Sequence, residues 1–227
     1  MRSVLALIVL ISIMANPVMA QDITTEKGKL SYAVGWNIGE DMQRNDDEFD
    51  VETIISALRD AATGKEPQVP AEEMYTLLSD LQARVRKEQA EALEKLAAEN
   101  LAKGEEFLEA NKSKSGIVVL PSGIQYRIIE EGDGARPNVD NTVRIHYRGS
   151  MISGREFASS FTTGVPEEVQ VGNNILPGWR EILPLMKTGS TWQVFLPPEM
   201  AFGRAGNRPI GPNEALMFDI KLVEIVQ

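Results

Sequence analysis

Hydrophobic spacing changes period once along this chain, near residue 115, and that change limits the fold more than any other feature. Upstream, apolar residues recur at three- and four-residue steps. Leu30, Val34, Ile38 and Met42 form one stripe, Ile54, Ile55 and Leu58 a second, and Met74, Leu78, Leu81 and Val85 a third. Such steps place side chains on one face of an α-helix. Downstream the step is two. Ile124, Tyr126 and Ile128 alternate with polar neighbours, as do Val143, Ile145 and Tyr147. Trp192, Val194 and Leu196 follow the same rule, and so do Leu216, Phe218, Ile220 and Leu222. A two-residue step builds strands that bury one face. One short helix is predicted between them, from Leu176 to Met186, with Pro177 suited to its first turn. The fold class expected is α+β, with an all-helical amino-terminal part followed by an antiparallel sheet.

The helical part divides at its turn residues. Thr25 is placed to cap the first helix, Asn45 to Asp50 form an acidic loop, and the second helix stops near Gly64. Pro67 and Pro70 mark a linker. From about Ala71 to Ala110 the chain is rich in Ala, Glu and Lys, with Glu91–Lys95 and Glu99–Lys103 at helix-pairing distance. At ~1.5 Å per residue this run would be about 60 Å long, too long to bury in a small domain. The expectation is a solvated spacer or part of a coiled assembly, ending at Asn111 to Ser115. Charge shifts at the same boundary. Residues 21–114 carry 12 basic and 21 acidic side chains, against 10 and 12 in residues 115–227. The division expected is a leader over 1–20, a helical dimerisation region over 21–70, a connecting helix over 71–114 and a sheet domain over 115–227.

Several function classes are excluded at once. The formal net charge of −10 argues against nucleic-acid binding, which needs a basic surface. With no cysteine and one histidine, there is no disulfide framework, cysteine-ligated zinc or thiol nucleophile. A Ser-His-Asp site would require His146, which lies inside an alternating strand and is expected to face away from Tyr147. Asp46, Asp47, Glu48, Asp50 and Glu52 lack the glycine and spacing of a calcium loop, so they are expected to form a solvated loop and helix start. No metal or cofactor is expected. Arg2, the apolar run from Val4 to Met14 and the small residues up to Ala20 predict a cleaved secretory leader. The run is shorter than the ~20 residues needed to span a bilayer. No integral membrane segment is expected in the mature chain, which should be exported to the periplasm, remaining there, lying against the outer membrane or being released.

The motifs in the sheet region resemble one family. Val143-Arg-Ile-His-Tyr-Arg-Gly149, Gly154-Arg-Glu-Phe-Ala-Ser-Ser160, Leu176-Pro-Gly-Trp179, Ala201-Phe-Gly203, Ile210-Gly-Pro-Asn213 and Leu216-Met-Phe-Asp219 occur in order at the spacing of FKBP-type peptidyl-prolyl isomerase domains. The helical part, through Lys29-Leu-Ser-Tyr-Ala-Val-Gly35 and the long third helix, resembles the dimerisation domain of the macrophage infectivity potentiator (Mip) group. The resemblance implies a curved antiparallel sheet wrapped around the short helix, with a proline pocket between them. It implies Trp179 as the pocket floor and Tyr147, Phe157 and Phe218 as walls, with Phe202 and Ile210 from a loop above. Ile175 and Leu176 would supply backbone and apolar contacts. It implies a homodimer acting on proline-containing unfolded or folded proteins, and weak binding of rapamycin-type macrolides.

Rotation about an X-Pro bond needs no nucleophile. The planar amide crosses a barrier of ~18–20 kcal/mol. Its twisted form carries less charge on the carbonyl oxygen, so an apolar pocket favours the twisted form. Three positions depart from the family pattern. Ala158 stands where an Asp is usual, Phe202 where a Tyr is usual, and Glu167 where a pocket aromatic is often found. A neutral hydrogen bond contributes ~0.5–1.5 kcal/mol, so these losses predict a weakened isomerase. The alternative expectation is a holdase-type periplasmic chaperone that grips proline segments with little turnover.

Overall fold

The computed structural model describes residues 23–43, 49–173 and 175–226. The expected leader, and Asn45 to Glu48 of the acidic loop, lie outside the described residues. The chain divides into two compact units at Leu77/Leu78. Among the described residues, no helix is long and apolar enough to cross a membrane.

The first unit holds α1 (Glu26–Gln43), α2 (Val51–Ala62) and the start of α3 (Ala71–Lys112). Thr25 Oγ1 accepts from Gly28 N at 3.0 Å, and Asp50 Oδ1 accepts from Thr53 N at 2.7 Å. Each satisfies an N–H that the first helical turn leaves without a partner. The apolar stripes are formed as helix faces, yet among the described residues much of their surface is open: Met42, Ile54, Ile55, Met74 and Leu81 are half-buried and the others are exposed. Leu30 is 68% exposed, Trp36 57% and Leu77 60%, and Val34, Ile38, Leu58, Tyr75 and Leu78 are exposed too.

The second unit contains the rest of α3 and a seven-stranded antiparallel sheet. Its strands are β1 (Val118–Val119), β2 (Gln125–Glu130), β3 (Thr142–Met151), β4 (Glu156–Ser159), β5 (Glu167–Gln170), β6 (Thr191–Leu196) and β7 (Leu216–Ile225). The sheet order is β1-β2-β6-β7-β3-β4, and β5 pairs with the first part of β3. Helix α4 (Pro177–Ile182) continues into a 3-10 turn over Leu183–Leu185, matching the expected short helix. Val143, Ile145, Val194, Leu196, Leu216, Phe218, Ile220 and Leu222 are buried in one core with Trp179, Ile182 and Leu183. The two-residue step therefore does place one face of the sheet inward, against α4.

The late part of α3 differs from the expectation of a solvated spacer. Ala97, Asn100, Gly104, Leu108 and Asn111 are buried. Leu108 and Phe107 pack with Phe195, Ala215 and Met217. A Cβ on Gly104 would lie 3.0 Å from the Ala215 Cβ, so the glycine permits the close approach. Asn111 Nδ2 donates to Gln125 Oε1 at 3.0 Å, and Gln125 Nε2 donates to the Leu108 carbonyl at 2.7 Å. Asn100 Nδ2 donates to the Pro212 carbonyl at 2.8 Å. The second unit thus begins well before Ser115. The stripe that docks is built of small and amide residues, which hydrophobic spacing does not reveal.

Candidate functional site

The sheet and α4 gather aromatic rings at one place. Tyr147 comes from β3, Phe157 from β4, Phe218 from β7 and Trp179 from the first turn of α4. The Tyr147 and Trp179 rings lie 5.0 Å apart at 72°, and those of Trp179 and Phe218 lie 5.2 Å apart at 80°. Phe157 meets Phe218 at 5.8 Å and 86°. These edge-to-face arrangements set the positive ring edge against the negative ring face. Gly149, opposite Phe218 in the β3–β7 register, makes the cluster possible. A Cβ there would fall 2.6 Å from Phe157 Cζ and 2.8 Å from Phe218 Cε1. Trp179 is only 7% exposed, and its indole N–H is buried without a hydrogen-bond partner.

A cavity of about 240 Å³ opens on this cluster. It is lined by Tyr147, Phe157, Ala158, Leu176, Trp179, Phe202, Ile210 and Phe218, joined by Asn207, Arg208 and Pro209. Eight of the nine residues singled out from sequence therefore share one cavity. The ninth, Ile175, lines an adjoining larger cavity with Glu167, Leu176, Trp179 and Phe202. Sequence reading missed Asn207 to Pro209. They sit in a loop closed by the pairing of Asn207 with Ile210, where no periodicity marks them. The Arg-Pro-Ile run beside the Ala201-Phe-Gly203 motif was the available signal.

Polar groups are few. The Tyr147 hydroxyl donates to Glu167 Oε1 at 3.2 Å. Burial, and then the nearby Glu167 charge and its hydrogen bond, raise the Tyr147 pKa above its ordinary value. The phenol therefore stays protonated at neutral pH. Ala158 presents a methyl group, and Phe202 carries no hydroxyl. His146 lies on the opposite side of β3, stacked on Phe161 with ring centres 5.0 Å apart, its Nδ1 3.2 Å from Ser160 Oγ. Ser160 Oγ also accepts from Tyr147 N at 2.8 Å, which ties β3 to the end of β4. Among the described residues, no group of three or more acidic or histidine side chains is gathered as a metal site requires.

Comparison with known proteins matches this architecture along nearly its whole length. Residues 27–128 match the domain amino terminal to FKBP-type peptidyl-prolyl isomerase, and residues 134–223 match the FKBP-type peptidyl-prolyl cis-trans isomerase domain. The chain is 42% identical to the outer membrane protein MIP of Legionella longbeachae, over 91% of this chain and 88% of that one. It is 34% identical to the peptidyl-prolyl cis-trans isomerase Mip of Coxiella burnetii, over 91% and 90%. The crystal structure of FkpA from Escherichia coli superposes with a TM-score of 0.70 at 32% identity, covering 88% of this chain and 97% of that one. Fold, motifs and relatives agree, and the chain belongs to the FKBP-type peptidyl-prolyl cis-trans isomerases that carry a helical amino-terminal domain.

Proposed function

We propose that the cavity of about 240 Å³ receives the proline ring of a client and that the chain works as an exported, homodimeric folding isomerase of reduced turnover. The single observation behind this is the convergence of Tyr147, Phe157, Trp179 and Phe218 around a hollow with apolar walls. In this reading Trp179 is the floor, Tyr147, Phe157 and Phe218 are walls, and Phe202 and Ile210 close the top. Ile175 and Leu176 contact the chain before the proline. X-Pro bonds exchange in tens to hundreds of seconds unaided, so a pocket that favours the twisted amide is useful without acid-base chemistry. Export is supported by the charged and then apolar first twenty residues and by the name of the Legionella relative.

Reduced turnover follows from the polar groups. Ala158 and Phe202 offer no donor or acceptor side chain, and the Tyr147 hydroxyl is directed to Glu167. Each missing neutral hydrogen bond costs ~0.5–1.5 kcal/mol. Macrolide binding is expected to weaken for the same reason. A second reading, a holdase whose pocket grips proline with little catalysis, is favoured by the exposed apolar faces of α1 and α2, which offer surface to unfolded chains. Isomerisation of a short X-Pro peptide, measured beside aggregation suppression, separates the two. The isomerase reading expects catalysed exchange that scales with protein concentration. Suppressed aggregation with no catalysed exchange establishes the holdase reading instead.

A further inference from the structure

The larger cavity that adjoins the aromatic hollow is lined by two acids, Glu167 and Glu168, and of these only Glu168 has a cationic partner among the described residues. Glu167 opens β5, where it pairs with Ile145 of β3, and Val169, on the same face, is buried in the core. That register directs Glu167 toward the concave side, beside Tyr147. It accepts the Tyr147 hydroxyl at 3.2 Å and lines the larger cavity with Ile175, Leu176, Trp179 and Phe202. Neighbouring acids are compensated. Glu168 and Glu224 both bind Arg144 at 2.7 Å, and Asp219 binds Arg148 at 2.7 Å. Among the described residues, Glu167 forms no ion pair. Glu168, Gln170 and Asn173 also line this cavity, but on the side of Ile175, Leu176 and Trp179 the Glu167 carboxylate faces apolar side chains, which do not screen its field.

We propose that Glu167 determines specificity by favouring proline segments that carry a lysine or arginine next to the proline. This rests on the cavity being the proline site. The proline ring would occupy the hollow over Trp179, and a flanking ammonium or guanidinium would reach the Glu167 carboxylate left open to solvent. The hydrogen bond from Tyr147 holds that carboxylate at the rim, so a client side chain need not order it on binding. Arg208 lines the smaller cavity and forms no ion pair among the described residues, so it is the competing charge. Glu167 lines the adjoining cavity instead, which shares Leu176, Trp179 and Phe202 with the smaller one.

The test compares tetrapeptides with Lys, Leu or Glu immediately before or after the proline, by kcat/KM, at low and high salt. The intact protein should prefer Lys over Glu at one of the two positions by about two- to fivefold, the range of a partly exposed ion pair. Added salt should shrink the preference. Glu167→Gln keeps an oxygen for the Tyr147 hydroxyl, and in it the ratio should fall to about one; in Glu167→Lys it should invert. Equal rates for Lys and Glu in the intact protein overturn the proposal. So does an unchanged ratio in a folded Glu167→Gln, or a preference for Glu at both positions, which would assign the dominant field to Arg208. The Leu peptide isolates the underlying reading. If its turnover falls in a folded Trp179→Leu variant but no charge preference exists, only Glu167's role fails. Unchanged Leu-peptide turnover in that variant means the cavity itself was misassigned.

Discussion

The two ends of α3 differ in what they leave open and what they bury. Its first turns carry Tyr75, Leu77 and Leu78, all apolar or aromatic and all exposed. Its last turns bury Ala97, Asn100, Gly104, Leu108 and Asn111, mostly small or polar, against the sheet. One helix thus has an apolar face that is largely open among the described residues and a modest face that is covered. Burial in α3 follows the shape and hydrogen-bond groups of the partner surface, while hydrophobicity left uncovered points to a partner outside the chain. The late turns have found their partner in Phe195, Ala215 and Gln125. The early turns, with α1 and α2, are expected to find theirs in a second copy.

The largest effect is expected from removing the docked face of α3. A protein beginning at Ser115 leaves Phe195 and Ala215 uncovered and deprives Gln125 of both its helix partners. Losing Leu108 alone is the equivalent of a buried Leu→Ala change, ~2–5 kcal/mol. Denaturant melts should show the Ser115 start destabilised by at least about that amount relative to a start at Leu78. Equal stability would mean the late turns of α3 are only appended. At the other end, Leu30→Asp with Val34→Asp should raise the dimer dissociation constant about tenfold or more, the effect of ~1.4 kcal/mol. Light scattering at micromolar concentration checks this. A parent that is already monomeric removes the claim of a second copy.

Two smaller effects leave the docked scaffold intact. Ala158→Asp combined with Phe202→Tyr restores polar groups at the cavity, and turnover of a short X-Pro peptide, or rapamycin affinity, should rise several-fold, as expected for ~0.5–1.5 kcal/mol per hydrogen bond. A stably folded double variant that gains neither would show that these positions do not face the substrate. The smallest effect concerns pH. The Tyr147 pKa is raised in the folded protein, first by burial and then by Glu167. Both states hold the proton at neutral pH, so the group contributes no pH dependence there. Above about pH 10 the unfolded chain loses its proton first, and stability should fall as pH rises toward the folded pKa. Tyr147→Phe should flatten that part of the curve in pH-dependent melts.

Much of the fold was legible because strand alternation is a local signal. Val143 and Ile145 on β3, and Leu216 to Leu222 on β7, are buried as the two-residue step predicts. His146 and Tyr147, being neighbours, fall on opposite faces for the same reason. The docked face of α3 was not legible. Gly104 and Asn100 carry no hydrophobic signal, and their partners, Ala215 and Pro212, lie more than a hundred residues away. The site was partly legible, since the aromatic motifs mark eight residues of one cavity. The link from Tyr147 to Glu167 was not, because it depends on the register of β5 against β3. A one-residue slip would turn Glu167 to the other face.

The reading of the Trp179 cavity as the place of X-Pro rotation rests on its aromatic floor. It is tested most directly by the catalysed isomerisation rate of one short X-Pro peptide, measured for the parent and for Trp179→Leu, with melts confirming that both are folded. Leu keeps the floor apolar while removing the broad ring, so folding should survive and kcat/KM should fall by about tenfold or more, equivalent to ~1.4 kcal/mol of lost transition-state binding. A folded Trp179→Leu protein that isomerises the peptide as fast as the parent would mean that the Trp179 cavity is not where X-Pro rotation takes place.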